Sequence, residues 1–446
     1  MATNVPSGFL PQPPIGAPVP WSFPRPEHAT LANGIEVVSY RLPGQYVIAA
    51  HLVLDVPLNA EDRALEGVGT ICGRALDEGT RTHGGDEFAE LLETEGAGFG
   101  VDVGLSGIEA MLDVPAARLD RALELFAEAV IEPSLADDDV HRHVQLRLAE
   151  IEQAQANSAQ AASIAFRSAV FDTSSRASRM NGGEPETVAA VTPEAVRRFH
   201  ADHFGPRGAT LVLAGDFSSD PVTLAEACLG GWTSEQRAVV HHSPTAASRS
   251  RRLIDRPGAV QADVRLGGFA IDRTDPRWAD ISVASYAMGG AFLSRLNAAL
   301  REEKGYTYGV RMQFSPMRTG GSFAVQGSFR TEVVADALVE ARRLLDVDDQ
   351  PFTAREVDEA VAYFAGVSPL RYATADGVAE QAATQVLAGL GEDYVDANLA
   401  ALRAVTPESA TAAYRSLVHP DDLSLVVVGD AATVGEPLRQ AGFDAT

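Results

Sequence analysis

Two periods of apolar residues run through the chain. His51-Leu52-Val53-Leu54-Asp55-Val56 reads as a strand, while 86–95 and 116–130 place their apolar side chains on one helical face. Further on, Gln261-Ala262-Asp263-Val264-Arg265-Leu266-Gly267-Gly268 is strand-like, and 356–365 and 374–387 are helical. Leu211-Val212-Leu213-Ala214 stops at Gly215-Asp216, the pattern of a buried strand followed by a turn. Strands and helices mixed in this way predict an α+β architecture with helices packed on a sheet.

The pattern repeats. Val191-Thr192-Pro193-Glu194 recurs as Val405-Thr406-Pro407-Glu408, and Leu211 to Asp216 recurs as Leu425-Val426-Val427-Val428-Gly429-Asp430. Both matches share one offset of 214, and nine of 26 aligned positions are identical. Each copy opens a helix, with Thr as N-cap and Pro and Glu in the first turn, and closes on a buried strand. This is a duplication: two copies of one fold in a single chain. The expected division is a Pro-rich arm at 1–27, a first domain at 28–217, a linker at 218–250 and a second domain at 251–446. Between the halves, His241-His242-Ser243-Pro244-Thr245-Ala246-Ala247-Ser248 is small and polar, as linkers are. Eight prolines in the first 26 residues, with no basic-then-apolar pattern, fit an extended arm rather than a signal peptide.

Composition narrows the function classes. Of 446 residues, 46% are hydrophobic and 22% charged, enough for each half to bury a core. The 61 acidic and 36 basic residues leave a net charge of −25, which repels phosphate backbones and anionic lipid, so neither nucleic acid nor membrane is an expected partner. The two cysteines, Cys72 and Cys228, cannot build a disulfide scaffold or a Cys-based zinc site. With no targeting segment, the expected location is the cytoplasm.

One stretch is far more specific than its surroundings: Met288-Gly289-Gly290-Ala291-Phe292-Leu293-Ser294-Arg295-Leu296-Asn297, then Leu300-Arg301-Glu302-Glu303-Lys304-Gly305-Tyr306-Thr307-Tyr308. It resembles the second-half signature of the M16 (pitrilysin/insulinase-like) metallopeptidases, GG-x-x-x-SRL-x-x-x-LRE-x-x-G-x-x-Y. The two-copy layout is similar to the same family. The resemblance implies two homologous M16-type (LuxS/MPP-like) α+β halves joined by a linker as a clam-shell.

In that family the first half carries H-x-x-E-H on a helix, with two zinc-binding histidines and a glutamate general base. The matching frame here, Gly67 to Thr80, puts Thr70, Gly73 and Arg74 at the three essential positions, and no H-x-x-E-H occurs elsewhere in the chain. Arg74 brings a permanent positive charge to the place of the metal. Glu150 best matches the family's third ligand. The expectation is therefore no metal and no cofactor in this chain. The second half keeps what the resemblance implies for it: Arg301 and Tyr308, which would reach an opposing zinc site, bind substrate backbone and stabilise the oxyanion. Taken alone, an Arg and a Tyr at these positions would instead pair with Glu302 or Glu303 and fill a core slot.

The expected role is the non-catalytic subunit of a heteromeric M16B zinc peptidase, inactive alone. Its partners would be an H-x-x-E-H sister chain, which supplies the zinc, and a peptide substrate, such as a leader peptide. A homodimer is open without the sister. The alternative is an inactive scaffold or peptide-binding protein. Other candidates carry less. His141 and His143 point to different helical faces and read as solvated, as do His241 and His242. His200 and His203 lie one turn apart without a zincin glutamate. Gly96-Ala97-Gly98-Phe99-Gly100 resembles the approach to a chamber-lining strand.

Overall fold

The computed structural model describes residues 20–444. The first half holds strands β1 (Glu27–Thr30), β2 (Glu36–Arg41), β3 (Val47–Leu54), β4 (Gly98–Val103), β5 (Ile108–Pro115) and β6 (Ala209–Gly215). Its helices are α1 (Val68–Arg74), α2 (Gly85–Glu95), α3 (Leu119–Ile131), α4 (Asp137–Ala156), α5 (Ser158–Val170), α6 (Pro185–Ala189), α7 (Pro193–His203) and α8 (Pro221–Leu229). The second half holds β7 (Arg251–Asp255), β8 (Gln261–Ala270), β9 (Thr307–Pro316), β10 (Gly321–Arg330) and β11 (Ser424–Gly429). Its helices are α9 (Trp278–Ser285), α10 (Arg295–Asn297), α11 (Val334–Leu345), α12 (Ala354–Arg371), α13 (Ala375–Ala388), α14 (Tyr394–Ala404), α15 (Pro407–Leu417) and α16 (Ala431–Gln440).

The duplication is visible in the strand order. One sheet runs β1-β2-β6-β3-β5-β4 and the other β7-β11-β8-β10-β9. Apart from β1, the two orders are the same when each half is numbered from its own start. In both sheets one pair is parallel, β2 with β6 and β7 with β11, and the others are antiparallel. The repeated Thr-Pro-Glu segments open α7 and α15. The hydroxyl of Thr192 accepts from the Ala195 N–H and that of Thr406 from the Ser409 N–H, each at 3.2 Å, and a proline sits in the first turn of each.

Leu211–Ala214 of β6 and Leu425–Val428 of β11 are apolar without alternation because both faces of these strands are covered. On β11, Leu425 and Val427 face the second-half core, while Val426 and Val428 meet Ala162, Phe166 and Ala169 of α5. On β6, Leu211 and Leu213 face the first-half core, while Val212 and Ala214 join the cluster of Val378, Ala379 and Ala382 on α13. Each half thus lays one helix across the sheet of the other. Ala162 and Ala169 on α5, and Ala379 and Ala382 on α13, leave room for the strands to approach. Separating the halves would expose both sheet faces to water, at about 25 cal/mol per Å² of apolar area.

One detail differs from the expectation. The stretch assigned to a linker, 218–250, contains α8, which packs on α3 and β2 and occupies the place that α16 takes in the second half. Its helix starts at a proline after Asp220, whose carboxylate accepts from the Thr223 N–H at 2.8 Å, a cap with no apolar periodicity to announce it. Residues 1–19 of the Pro-rich arm lie outside the described residues. Trp21, which follows them, stacks on Tyr372 at 5.7 Å, and Phe23 is buried against Tyr40 and Tyr372. No helix among the described residues is long and apolar enough to cross a membrane.

Candidate functional site

The second-half motif forms an unusual run of helix. After α9 the chain makes a π turn at Tyr286–Gly290, and α10 continues into a second π turn, Ala298–Glu303, that carries Arg301. Such turns are rare and gather at functional sites. Most of the motif holds this run against the outer edge of β9. A Cβ on Gly289 would lie 2.5 Å from both the backbone N and the Cβ of Met312, so only glycine permits the approach. Asn297 accepts from the Val310 N–H at 2.9 Å and donates to the Ala291 carbonyl and Ser294. The Ser285 hydroxyl donates to the Met312 carbonyl. Arg295 makes a bidentate pair with Glu356 at 2.6 and 2.8 Å and lies over the Phe352 ring. At Val310 and Met312 the edge of β9 is thus occupied by this run.

Two motif residues have no part in this. Tyr308 is 93% exposed. Its neighbours Val310, Met312 and Phe314 point into the core, so a regular strand would send residue 308 inward as well. The pairing with β10 slips between Gly327 and Phe329, opposite Tyr308, and this bulge turns the phenol outward. Thr307 fixes the bulge: its hydroxyl donates to the Ser328 carbonyl at 2.6 Å and accepts from the Gly309 N–H at 3.1 Å. The phenol therefore fills no core slot. Arg301 does pair with its neighbour: Nε and Nη2 meet Glu302 Oε1 at 2.7 and 2.5 Å.

A second contact holds Arg301. Its guanidinium carbon sits 3.7 Å from the ring centroid of Phe292, a cation–π stack. Phe292 is itself 70% exposed, so burial does not explain it. The ring and the Glu302 carboxylate together orient the guanidinium and leave Nη1 free among the described residues. Arg301, Phe292, Tyr306, Tyr308 and Val260 line one open cleft of about 850 Å³. Phe292 lay inside the sequence motif without drawing notice. The only sign was a large aromatic in a loop that had to be exposed.

The first-half frame is built differently. At the start of α1, Glu61 accepts from the N–H groups of Gly67 and Gly69, both at 3.0 Å. Its carboxylate is fully buried and also paired with Arg176 at 3.0 Å. Thus α1 is held firmly, but its side chains offer no donor set. Arg74 forms a bidentate pair with Glu150 of α4 at 2.8 and 2.9 Å, and Arg147 adds a third bond at 3.1 Å. Hydrogen bonding from Arg74 holds the Glu150 carboxyl below the usual range. The carboxylate is already neutralised by guanidinium, and a divalent cation placed there would meet a like charge. The residues present do not fit zinc. Burial raises the Cys72 thiol on the same helix, which makes a thiolate ligand costly there. Among the described residues no group of three or more His, Cys, Asp and Glu could hold a metal.

Gly73, at the general-base position, is closed as well. A Cβ there would lie 2.9 Å from Val101 Cγ1 and 3.2 Å from Val103 Cγ2. Writing the motif back as Thr70→His, Gly73→Glu and Arg74→His is therefore expected to leave the chain without stoichiometric zinc in metal analysis. Trimming Val101 would be needed as well.

Among the histidines, His143 is buried rather than solvated and binds Glu78 at 2.8 Å, because α4 packs it inward, while His141 is exposed. His241 is half-buried and binds Asp55 at 2.7 Å. His200 and His203 do not converge on a ligand: His200 donates to the Val130 carbonyl, and burial lowers the pKa of both. The cleft of Arg301 and Tyr308 contains neither Arg74 nor Glu150.

Comparison with known proteins agrees with the fold. Residues 36–181 match the model for Insulinase (Peptidase family M16), and residues 190–364 match Peptidase M16 inactive domain. An uncharacterised zinc protease of Streptomyces coelicolor is 24% identical over 408 residues, covering 90% of this chain and 88% of that protein. A Helicobacter pylori protein named as a non-peptidase homolog is 23% identical and covers 73% of this chain and 75% of its own. Among solved structures, the peptidase M16 inactive domain from Pseudomonas fluorescens superposes with a TM-score of 0.85 at 24% identity, covering 91% of this chain and 98% of that one.

Proposed function

Since the chain belongs to the M16 peptidase family, we propose that it is the non-catalytic subunit of a two-chain M16B zinc peptidase. The observation that carries this reading is the division of labour within the motif. Gly289, Asn297 and Arg295 hold the backbone, while Arg301 and Tyr308 face an open cleft. A motif needed only for folding would have no reason to bulge the strand and send a tyrosine into water.

The partner is an H-x-x-E-H sister chain, whose bound zinc supplies the activated water and polarises the scissile carbonyl. This chain binds and orients. Arg301 offers a fixed fork of donors and Tyr308 a phenol, aimed at the substrate backbone and at the negative charge that develops on the carbonyl oxygen. Phe292 and Glu302 keep the fork in place, so less side-chain freedom is lost on binding. Substrates are short or unfolded peptides, leader peptides among them. The Arg74–Glu150 pair supports an inactive first half, and the reading places the complex in the cytoplasm.

A second reading is a scaffold or peptide-binding protein without a catalytic role, which the name of the Helicobacter pylori relative favours. A photo-crosslinking residue at Leu293, beside Phe292, separates the first reading from the scaffold, and hydrolysis by the reconstituted complex separates it from a peptide-binding protein. In the complex with the sister chain, a fluorescent unstructured peptide is expected to crosslink there and to be competed by unlabelled peptide. Crosslinking to the sister alone, with none to peptide, would favour the scaffold.

A further inference from the structure

A second cleft lies away from Arg301, where the two halves and the linker meet. It has a volume of about 450 Å³. Arg63, Arg176 and Arg179 line it from the first half, and Arg318 from the second. Two equivalent hairpin tips reach it: Leu105 and Ser106 between β4 and β5, and Arg318 and Thr319 between β9 and β10. His242, from the linker, completes the rim.

The charge here runs against that of the chain. Four guanidinium groups meet three carboxylates: Glu61 and Glu66 in the wall, and Asp55, which pairs with Arg318 at 2.8 Å and His241 at 2.7 Å. A surplus of cations in a concave site on a protein of net charge −25 is not the average of its surface. Acceptors also run short. Arg176 is buried, yet its Nε has no hydrogen-bond partner among the described residues, and the nearest carboxylate oxygen, on Glu66, is 3.6 Å away.

Structure accounts for part of the cluster. Arg176 and Arg179 hold Glu61 and Glu66, which in turn hold the entry to α1. It does not account for Arg63 and Arg318. Arg63 reaches Glu66 only through Nη1, and Arg318 reaches Asp55 only through Nη1. Their remaining nitrogens have no partner among the described residues, and both side chains keep access to water.

We propose that this cleft binds a small oxyanion, held between Arg63 of the first half and Arg318 of the second. The guanidinium fork matches a phosphate group or a terminal carboxylate equally well, and either would satisfy donors on both halves at once. Leu105, Ala177, Met317 and Pro244 supply an apolar wall for the body of an organic anion. Because both halves of the site exist only in the folded chain, binding stabilises that state, and the gain grows with the logarithm of ligand concentration once it exceeds Kd.

The test uses the full chain, followed by calorimetric titration and thermal unfolding at constant ionic strength. One arm adds inorganic pyrophosphate; another adds acetyl-alanyl-alanine, with its C-terminal amide as control. A saturable binding heat is expected, together with a rise in melting temperature that continues with the logarithm of ligand concentration and that sodium chloride does not reproduce. A rise with pyrophosphate assigns a phosphate ligand, and a rise with the free peptide acid but not its amide assigns a carboxylate. The double variant Arg63→Gln/Arg318→Gln is expected to weaken binding at least tenfold. Arg63→Gln alone, at an exposed position, is expected to weaken it severalfold with the ligand-free melting temperature unchanged. No saturable binding heat with either ligand class, or affinity unchanged in both variants, would overturn the proposal.

Discussion

Replacing Arg301 with alanine is expected to lower turnover by the reconstituted two-chain complex by about 10²–10³-fold, the usual effect of losing a donor aimed at an oxyanion. The guanidinium is engaged with Glu302 and Phe292 at the surface of the cleft, so its loss leaves the core and the β9 edge intact. Assembly and melting temperature should stay close to wild type. Loss of the contact to the developing charge lowers kcat and kcat/KM together, and loss of the contact to the substrate backbone adds a smaller rise in KM. Arg301→Lys should recover only part of the loss, since an ammonium lacks the planar fork. Tyr308→Phe removes one hydroxyl from a fully solvated ring and should cost roughly 10–100-fold by the same route. Steady-state kinetics on the complex read all three.

The largest expected effect on stability comes from Glu61→Ala. The carboxylate is fully buried, accepts two N–H groups at the start of α1 and pairs with Arg176, itself buried. Removing it leaves the buried Arg176 guanidinium with only Glu66, 3.6 Å away and shared with Arg179, and leaves two N–H groups at the start of α1 without their acceptor, which costs about 3–5 kcal/mol. Urea unfolding should show the midpoint falling steeply with little change in slope. A loss below about 1 kcal/mol would mean that water reaches Arg176 and that the pair is not what anchors α1.

Much of the fold was legible in the sequence, because a duplication compares the chain with itself. The Thr-Pro-Glu starts and the apolar strands recur at one offset, and the strand orders recur with them. The exchange of α5 and α13 between the halves was not legible. The apolar runs of β6 and β11 require cover on both faces, but nothing local says that it comes from the other half. The helix α8 was missed for a similar reason, since its cap is a single Asp-Pro pair in a stretch that otherwise reads as loop.

At the site, the sequence motif named Arg301 and Tyr308, and the structure shows which motif residues carry the backbone instead. The Phe292 stack depends on a loop turning back over a π turn, and no residue spacing encodes that. Thr70, Gly73 and Arg74 could be read directly as a lost donor set. The bidentate pairing of Arg74 with Glu150 could only be guessed, because the two residues are 76 positions apart on different helices.

The most direct measurement is peptide hydrolysis by this chain alone, by an H-x-x-E-H sister chain alone, and by the two mixed, all with zinc present. The account predicts cleavage only in the mixture. Cleavage by this chain alone, or equal cleavage by the sister with and without it, would contradict the account.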